Sequence, residues 1–152
     1  MTLDFFKQNY DQSVKEQLIF VNAPDKKTKK IVYQIPCIYL DINQQAGTQY
    51  VYNEERKETE LAAPSDQSDD RKIMLYFHGN AEDVGHNMPL MYLFREKFKL
   101  SVLAVEYPGY GFFSHQILNG KVKPENQKIS CTAKKLATNS LLVFDHVVRP
   151  VE

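Results

Sequence analysis

Two short loops rich in glycine and polar residues carry the groups best suited to chemistry. The first, His78 to Gly85, opens with His-Gly-Asn-Ala, and the second, Glu106 to Ser114, opens with Glu-Tyr-Pro-Gly-Tyr-Gly. Backbone N–H groups in a strand-to-helix turn can be aimed at developing negative charge. Gly79 lets the backbone turn and approach a ligand closely. The first loop is therefore a candidate site for stabilising an anion.

Other kinds of chemistry have weaker support in this sequence. Cys131 has no motif histidine nearby, whereas an activated cysteine nucleophile needs a base. His78, Asp83 and His86 have none of the standard spacings of metal ligands. We therefore expect no metal and no cofactor. Two further acidic residues, Glu106 and Asp145, form no obvious acid–base pair.

Both loops follow strands of a predicted parallel unit. Ile73 to Phe77 is a continuous apolar run, typical of a strand buried on both faces of a parallel sheet. Met88 to Lys97 has helical spacing, with Pro89 in the first turn, and Val102 to Val105 is a second buried strand. This βαβ pattern places both loops at the carboxyl ends of strands, where ligands bind in open α/β sheets. The predicted apolar stripe of the helix comprises Leu90, Met91, Phe94 and Phe98.

The front of the chain predicts a hairpin followed by a long polar loop. Leu18 to Val21 and Lys30 to Ile42 have the pattern of strands, joined by the basic turn Asp25 to Lys29. Pro36 indicates a bend or an edge position in the second strand. Residues 41–72 are too polar to bury the apolar area that would offset the entropy of ordering them. We expect a single domain over residues 1–152, in which residues 41–72 form a surface loop that is partly disordered.

The last third of the sequence predicts a helix. Apolar residues recur there at steps of three and four, which is the helical period. Asn126 or Ser130 could begin this helix, and Pro150 would end it. Its predicted stripe comprises Ile129, Ala133, Leu136, Ala137, Ser140, Leu141, Phe144, Val147 and Val148.

Composition argues against several classes of protein. Lysine plus arginine total 19, as do aspartate plus glutamate, so the positive charge expected of a nucleic-acid-binding protein is absent. No apolar run is long enough to span a bilayer, and the first residues lack the pattern of a signal peptide. Cys37 and Cys131 have no metal-type spacing, and disulfide scaffolds use more cysteines. We expect reduced thiols and a location in the cytoplasm or an organelle interior, without secretion.

The stretch from Leu75 to Gly111, LYFHGNAEDVGHNMPLMYLFREKFKLSVLAVEYPGYG, resembles the α/β-hydrolase superfamily. His-Gly-Asn-Ala followed by Tyr-Pro-Gly-Tyr-Gly is similar to the serine-hydrolase branch that includes protein depalmitoylases and serine-aminopeptidase-type lipases. The strand Ile35 to Leu40, IPCIYL, also fits that branch. The likeness extends over roughly Leu18 to Val148, with residues 41–72 as an apparent insertion.

This resemblance implies a fold, a reaction and a set of site residues. The implied fold is the N-terminal half of an α/β-hydrolase sheet, and the family hydrolyses esters or thioesters with a Ser-His-Asp triad. The backbone N–H of Asn80 would contribute to an oxyanion hole, with Ala81 beside it. His78, supported by Gly79, would orient this loop and would not be the catalytic base. The floor of the substrate cleft would be Tyr107 to Gly111, including Tyr107, Gly109, Tyr110 and Gly111.

The sequence departs from the family at the nucleophile. That residue sits in Gly-x-Ser-x-Gly after the next strand, with the Asp and His later still, and no serine of this sequence has glycines at both offsets. The chain ends where that strand is expected, so we expect that it cannot assemble the triad alone. Three interpretations stay open: a fragment of a serine hydrolase, a catalytically dead structural or interaction subunit of a larger assembly, or one half of a split hydrolase.

A missing nucleophile strand would leave an open edge on the sheet. In the family's strand order, Ile73 to Phe77 lies between the Val102 to Val105 strand and the nucleophile strand. Open apolar edges aggregate or recruit another strand. We therefore expect a protein partner to cover Ile73 to Phe77, for instance by strand addition.

Overall fold

The computed structural model describes residues 14, 17–43, 50–53, 58–61, 72–114, 116–119, 121–122 and 129–149. The elements in these ranges are strands and two helices, with a strand–helix–strand unit at residues 73–105. The strands are β1 (Leu18–Pro24), β2 (Ile31–Leu40), β3 (Tyr50–Asn53), β4 (Glu58–Leu61), β5 (Ile73–Tyr76), β6 (Ser101–Val105), β7 (Ile117–Leu118) and β8 (Lys121–Val122). The helices are α1 (Met88–Phe98) and α2 (Ala133–Val148).

Six of these strands form one mixed sheet. Its order is β5-β6-β2-β7-β8, and β1 pairs with the other side of β2. β5 and β6 are parallel, with Tyr76 opposite Ala104, and β6 is antiparallel to β2, with Val105 opposite Cys37. The predicted hairpin is confirmed as β1 and β2, closed where the Asp25 N–H donates to the Lys30 carbonyl at 2.8 Å.

The two helices cover two separate apolar clusters of the sheet. Met88 and Met91 of α1 belong to a cluster with Ile38, Leu40 and Val102. The second cluster joins Val143 and Val147 of α2 to Tyr39, Leu103 and Val105. Alternate residues of β2 and β6 thus belong to opposite clusters, as side chains on the two faces of a strand do. This arrangement confirms the predicted α/β class.

The sequence predicts a bend or an edge position at Pro36, which lies in the middle of the sheet, so the edge alternative is wrong. β2 has β1 on one side and both β6 and β7 on the other. The Pro36 carbonyl accepts from the Glu106 N–H at 3.0 Å. The same side of β2 pairs with β7 at Gln34 and with β6 from Cys37 onward, so Pro36 falls between the two partner strands. A proline is tolerated there because neither strand needs its missing N–H.

The apolar stripe of α1 is shifted from the predicted one. Met88 and Met91 are buried, whereas Leu90 and Phe98 are 38% and 52% exposed. Pro89 occupies the first turn, as predicted. The physical reason is that α1 packs on the sheet with the face of Met88 and Met91, which lie one turn apart, while Tyr92 and Phe94 are only partly buried against the same cluster.

The buried face of α2 also differs from the prediction. Asn139, Ser140, Val143 and Val147 are buried, and Leu141 is 67% exposed. Leu141 is two residues from Val143, about 200° around the helix axis, so both cannot face the sheet. The buried Asn139 side chain has one hydrogen-bond partner, because its oxygen accepts from the Tyr33 hydroxyl at 2.8 Å, whereas its Nδ2 has none among the described residues.

The N-cap of α2 is Thr132, whose side chain accepts from the Lys135 N–H at 3.2 Å. The predicted start at Ser130 is therefore wrong by two residues. The alternative start, Asn126, and the predicted stop, Pro150, lie outside the described residues.

Strand β5 is less buried than a strand inside a parallel sheet. Leu75 is 42% exposed and Phe77, which follows the strand, is 47% exposed. The prediction of burial on both faces is therefore wrong, because β5 is the outermost strand and has β6 on one side only among the described strands.

Within the polar segment 41–72, β3 and β4 pair as a separate antiparallel ribbon. Residues 44–49, 54–57 and 62–71 of this polar segment lie outside the described ranges, so the prediction that the segment is partly disordered stays a prediction. Elsewhere, both cysteines are free thiols, Cys37 buried and Cys131 exposed. In the part of the chain that the structure describes, no helix has the length and apolar character needed to cross a membrane.

Candidate functional site

The two predicted loops meet at the carboxyl ends of β5 and β6. We call residues 78–87 the His78 loop and residues 106–114 the Glu106 loop. The Tyr107 hydroxyl donates to the His78 carbonyl at 2.8 Å, and the Tyr110 hydroxyl donates to the Asn80 side-chain oxygen at 3.0 Å. The rings of His78 and Tyr107 stack with their centroids 3.8 Å apart. The parallel pairing of β5 and β6 explains this meeting, because both loops leave the same end of the sheet.

A buried histidine–glutamate pair joins the bases of the two loops. His78 Nε2 lies 2.8 Å from Glu106 Oε1, and neither side chain is exposed. The Glu106 carboxylate also accepts from the backbone N–H groups of Tyr107 at 3.1 Å and Val84 at 3.3 Å. A carboxylate buried this deeply needs such partners, since an unpaired buried charge is strongly destabilising. Glu106 therefore joins its own loop to the His78 ring and to the backbone of the His78 loop at Val84.

Both ring nitrogens of His78 face oxygen atoms. Nδ1 lies 2.9 Å from the Gly79 carbonyl oxygen, which can only accept, so Nδ1 carries a hydrogen. Burial alone lowers the pKa of His78, but the hydrogen bonds to Glu106 and Gly79, with the charges of Glu106 and Asp83, outweigh it and raise that pKa. These contacts favour an imidazolium ring paired with a carboxylate.

The backbone of the His78 loop forms a strained turn directly after this pair. The Glu82 N–H donates to the Gly79 carbonyl at 3.3 Å, so Asn80 and Ala81 are the central residues of a β-turn. Ala81 has φ +65°, a left-handed value, whereas Asn80 does not. That combination matches a type II turn, which normally has glycine or asparagine at the second central position. An alanine there costs about 1–2 kcal/mol, and strain of this kind clusters at functional sites.

Two consecutive backbone N–H groups in this turn are available to a ligand. Those of Asn80 and Ala81 donate to none of the residues that the structure describes. Both residues are exposed. Successive N–H groups at a turn form a concavity that attracts anions. The geometry thus supplies donors for a negatively charged oxygen at the surface of the site.

The Glu82 side chain holds the turn by hydrogen bonds to residues on either side of it. Its carboxylate accepts from the Gly79 N–H at 2.8 Å and from the Asn87 side-chain amide at 3.1 Å. Asn87 is the N-cap residue of α1, and its side-chain oxygen accepts from the Tyr76 hydroxyl at 3.0 Å. The turn is therefore anchored to β5, to α1 and to the Glu106 loop at once.

Gly111 fits against this buried pair with no space for a side chain. Its φ is +37°, and an added Cβ would lie 2.5 Å from Glu106 Oε2 and 2.6 Å from the Asp83 Cβ. Gly109 also has a positive φ, +91°, but a Cβ there would meet only the Ile129 carbonyl oxygen at 3.3 Å. Gly111 is thus the predicted cleft residue on which the packing of the pair depends.

The other predicted cleft residues line the same junction. Tyr107 is half-buried, and burial, followed by the neighbouring groups of Cys131, Tyr76, Glu106 and Tyr110, raises its pKa. Tyr110 packs edge-on against Tyr107 with ring centroids 5.7 Å apart. Together, the contacts of the two loops bring His78, Asn80, Tyr107, Tyr110 and Gly111 into one cluster.

The contacts of Glu106 and Glu82 with the His78 loop were not predicted from the sequence. Glu106 follows the apolar strand β6 directly, as His78 follows the apolar stretch of β5, and parallel neighbours end side by side. A charged residue and a histidine at these matching positions were a signal that the two would pair. Glu82, three residues after Gly79, had the spacing with which a side chain reaches back to a preceding N–H.

Asp83 and His86 form a local pair that does not extend to a metal site. The Asp83 carboxylate lies 2.6 Å from His86 Nδ1 and accepts from the His86 N–H at 2.9 Å. Within the described ranges, no group of three or more His, Cys, Asp or Glu side chains is placed to hold a metal ion.

Comparison with known proteins shows a similarity limited to part of the chain. No family model matches the sequence, and no solved structure matches it. The protein named Protein bem46, from Schizosaccharomyces pombe (strain 972 / ATCC 24843), is 35% identical over 51 residues. The shared stretch is 34% of this chain and 17% of the length of that relative. The chain is thus similar to bem46 over about a third of its own length.

Proposed function

We propose that this chain is part of an α/β-hydrolase-like protein that acts on esters or thioesters. In this proposal the His78 loop supplies the oxyanion hole, and the nucleophile, base and acid come from residues outside this sequence. The observation that carries the proposal is the pair of N–H groups of Asn80 and Ala81, which have no partner among the described residues and are held in a strained turn at the carboxyl end of a parallel strand pair. The partial similarity to bem46, an α/β-hydrolase family protein, supports it.

The proposed role of these N–H groups follows from the charge that acyl transfer creates. When a nucleophile attacks an ester or thioester carbonyl, the oxygen becomes negatively charged. Donors already fixed in place stabilise that charge without reorganising, and removing one such donor typically lowers kcat by about 10²–10³. The anchoring of the turn by His78, Glu82 and Tyr110 gives the fixed geometry that this effect requires.

A serine nucleophile would reach this loop from a strand added beside β5. The Lys72 carbonyl accepts from the Ser101 N–H at 3.0 Å, so it points towards β6. Backbone groups alternate along a strand, so those of Ile73, Leu75 and Phe77 point away from β6. A parallel strand bound there would end at the same side of the sheet as Phe77. The residue after it would then lie next to the oxyanion turn.

The side chains of this edge suit an apolar strand. Ile73 belongs to the cluster beneath α2, and Leu75 and Phe77 share its face by alternation. Leu75 and Phe77 are 42% and 47% exposed, and no charged residue occurs between Ile73 and Phe77. We therefore propose that the protein partner of this edge is an apolar strand that ends in the nucleophilic serine.

A serine-directed probe tests this function in the native protein. The protein would be isolated from its source with everything bound to it and treated with a fluorophosphonate, which forms a covalent bond with activated serines. The labelled peptide is then sequenced by mass spectrometry. We expect a Gly-x-Ser-x-Gly peptide, a motif that the 152-residue sequence lacks. As a control, the 152-residue chain expressed alone should take up no label.

The identity of the labelled polypeptide separates the three interpretations. A label on a longer polypeptide that includes this sequence means that the serine hydrolase is continuous. A label on a second polypeptide in the same complex means that the enzyme is split. An intact complex without any labelled serine overturns the hydrolase function and leaves a structural subunit as the role of the chain.

A further inference from the structure

The buried pair acts on the same peptide group that presents the Asn80 N–H. The Gly79 carbonyl and the Asn80 N–H belong to one planar trans peptide unit, so they point in opposite directions. His78 Nδ1 donates to that carbonyl at 2.9 Å, and the Glu82 N–H donates to it at 3.3 Å. Fixing the carbonyl with two donors therefore fixes the direction of the Asn80 N–H, which faces out of the turn.

The charge on His78 also bears on the strength of this donor. Chains of hydrogen bonds polarise one another in a low-dielectric interior. A carbonyl that accepts from a charged imidazolium withdraws electron density from its own N–H, because the peptide group is conjugated. His78 is fully buried and its other nitrogen lies 2.8 Å from Glu106 Oε1. The carboxylate thus favours the charged form of the ring and holds its orientation.

We propose that Glu106 and His78 are positioning residues that orient and polarise the Asn80 N–H. This inference rests on the proposed function, since it explains how the oxyanion donor is prepared. Neither residue touches the substrate, because Glu106 has no exposed atoms and the His78 ring is covered by Tyr107. Their effect passes through the Gly79–Asn80 peptide.

The groups that face His78 are few, so its titration can be assigned. Glu106 approaches from the end of β6 and Asp83 from the same loop as His78. The rings of Tyr107 and Tyr110 pack against it, with centroids 3.8 Å and 5.6 Å away. Glu106 makes the only contact with Nε2 among the described residues. Removing its charge should therefore change the pKa of His78 more than any other single substitution.

We call this coupling of Glu106, His78 and the Asn80 N–H the relay. NMR spectroscopy of the full chain, with whatever partner it needs for solubility, tests it without requiring catalysis. The amide proton shift of Asn80 and the ring shifts of His78 are followed against pH. We expect the Asn80 amide to move with the same midpoint as the His78 ring. In Glu106→Gln, the His78 midpoint should fall by about one unit or more, and the Asn80 amide should follow it.

Glu82→Gln is the matched control. It removes one carboxylate from the same loop, but that carboxylate accepts from the Gly79 N–H and not from His78. Its His78 midpoint should stay at the wild-type value. Equal effects of the two variants, or an Asn80 amide that ignores the His78 titration, would overturn the relay. If Glu106→Gln does not fold, the wild-type chain still tests the relay, because the Asn80 amide shift and the His78 ring must titrate with the same midpoint.

The relay and the hydrolase function fail in different ways. A complex that carries no activated serine, while Asn80 still follows His78, overturns the function and leaves the coupling intact. A labelled serine together with an Asn80 amide that is independent of His78 overturns the relay alone.

Discussion

Replacing Gly111 with alanine should destabilise the chain more than any other glycine substitution in the site. The added Cβ would lie 2.5 Å from Glu106 Oε2 and 2.6 Å from the Asp83 Cβ. Carbon atoms in contact are about 3.5–4.0 Å apart, so Asp83 or the backbone must shift by about an ångström. Glu106 cannot yield freely, since its carboxylate is held by His78, Tyr107 and Val84.

The expected cost of Gly111→Ala has two parts. Overpacking of this kind costs about 1–3 kcal/mol, and a left-handed alanine adds about 1–2 kcal/mol. The lower entropy of alanine in the unfolded chain returns about 0.4–1 kcal/mol. We therefore expect the free energy of unfolding to fall by about 1–5 kcal/mol, which is a substantial fraction of the about 5–15 kcal/mol that domains possess.

Two other glycines separate these parts. In Gly109→Ala the added Cβ would meet the Ile129 carbonyl oxygen at 3.3 Å, and the left-handed strain at φ +91° remains. With the same entropy offset, this substitution should cost about 1 kcal/mol. Gly79→Ala has no such φ, and its Cβ would meet the Glu82 carboxylate at 3.2 Å, on an exposed side chain. It should cost less than about 1 kcal/mol.

Urea unfolding followed by circular dichroism measures this series. The midpoint should fall most for Gly111→Ala, less for Gly109→Ala and least for Gly79→Ala, with an unchanged slope. A Gly111→Ala protein as stable as Gly79→Ala would refute the packing of Gly111 against the buried pair.

Three further outcomes follow from the same structure. Folding raises the pKa of His78, so the stabilisation from its protonated form is complete below the usual pKa of 6.5 and is lost as pH rises through the pKa of the folded state. Urea unfolding from about pH 6 to about pH 9 should show the free energy of unfolding falling by at most about 1.4 kcal/mol per pH unit. A rise in that free energy over this window would contradict the pairing of His78 with Glu106. Burial raises the pKa of the Cys37 thiol well above its ordinary value, whereas Cys131 is exposed. A thiol reagent should therefore modify Cys131 in the native chain and Cys37 only after unfolding, as mass spectrometry of the modified peptides would show. Rapid modification of Cys37 in the native chain would contradict its burial in the sheet. Leu75→Lys places a charge on the β5 edge and should abolish fluorophosphonate labelling of the serine in the assembly. Leu93→Lys is the control, because Leu93 is a 56% exposed position of α1, and it should preserve the labelling. Equal labelling of the two variants would show that the β5 edge does not bind the serine-bearing strand.

Local patterns were sufficient to predict most of the elements that build the sheet. The apolar runs of β5 and β6, the hairpin turn at Asp25 and the proline in the first turn of α1 all depend on neighbours close in sequence. For that reason the α/β class and the meeting of the two loops could be predicted.

The errors arose where distant residues decide the outcome. Pro36 is tolerated in the middle of the sheet because β6 ends and β7 begins on either side of it, which no local signal shows. Asn139 is buried in α2 because Tyr33, more than a hundred positions away in sequence, donates to it. Leu75 is half-exposed because β5 is the outermost of the described strands of the sheet.

The candidate site was only partly predictable for the same reason. The resemblance pointed to the Asn80 and Ala81 backbone but not to what holds it in place. Glu106 is 28 positions from His78 in sequence, and its role depends on the parallel register of β5 and β6. The left-handed φ of Ala81 could not be expected either, because alanine rarely adopts it.

The most direct test of the oxyanion function removes the Asn80 N–H while preserving the turn. Proline is favoured at the first central position of a type II turn and has no N–H, so Asn80→Pro deletes the donor while suiting the turn. Asn80→Ala is its control, since it loses the side-chain contact with Tyr110 but keeps the N–H. In the isolated assembly acting on a thioester, we predict that Asn80→Pro lowers kcat by about 10²–10³ and that Asn80→Ala lowers it by less than about tenfold. Equal kcat values for the two variants would contradict the assignment of the His78 loop as an oxyanion hole.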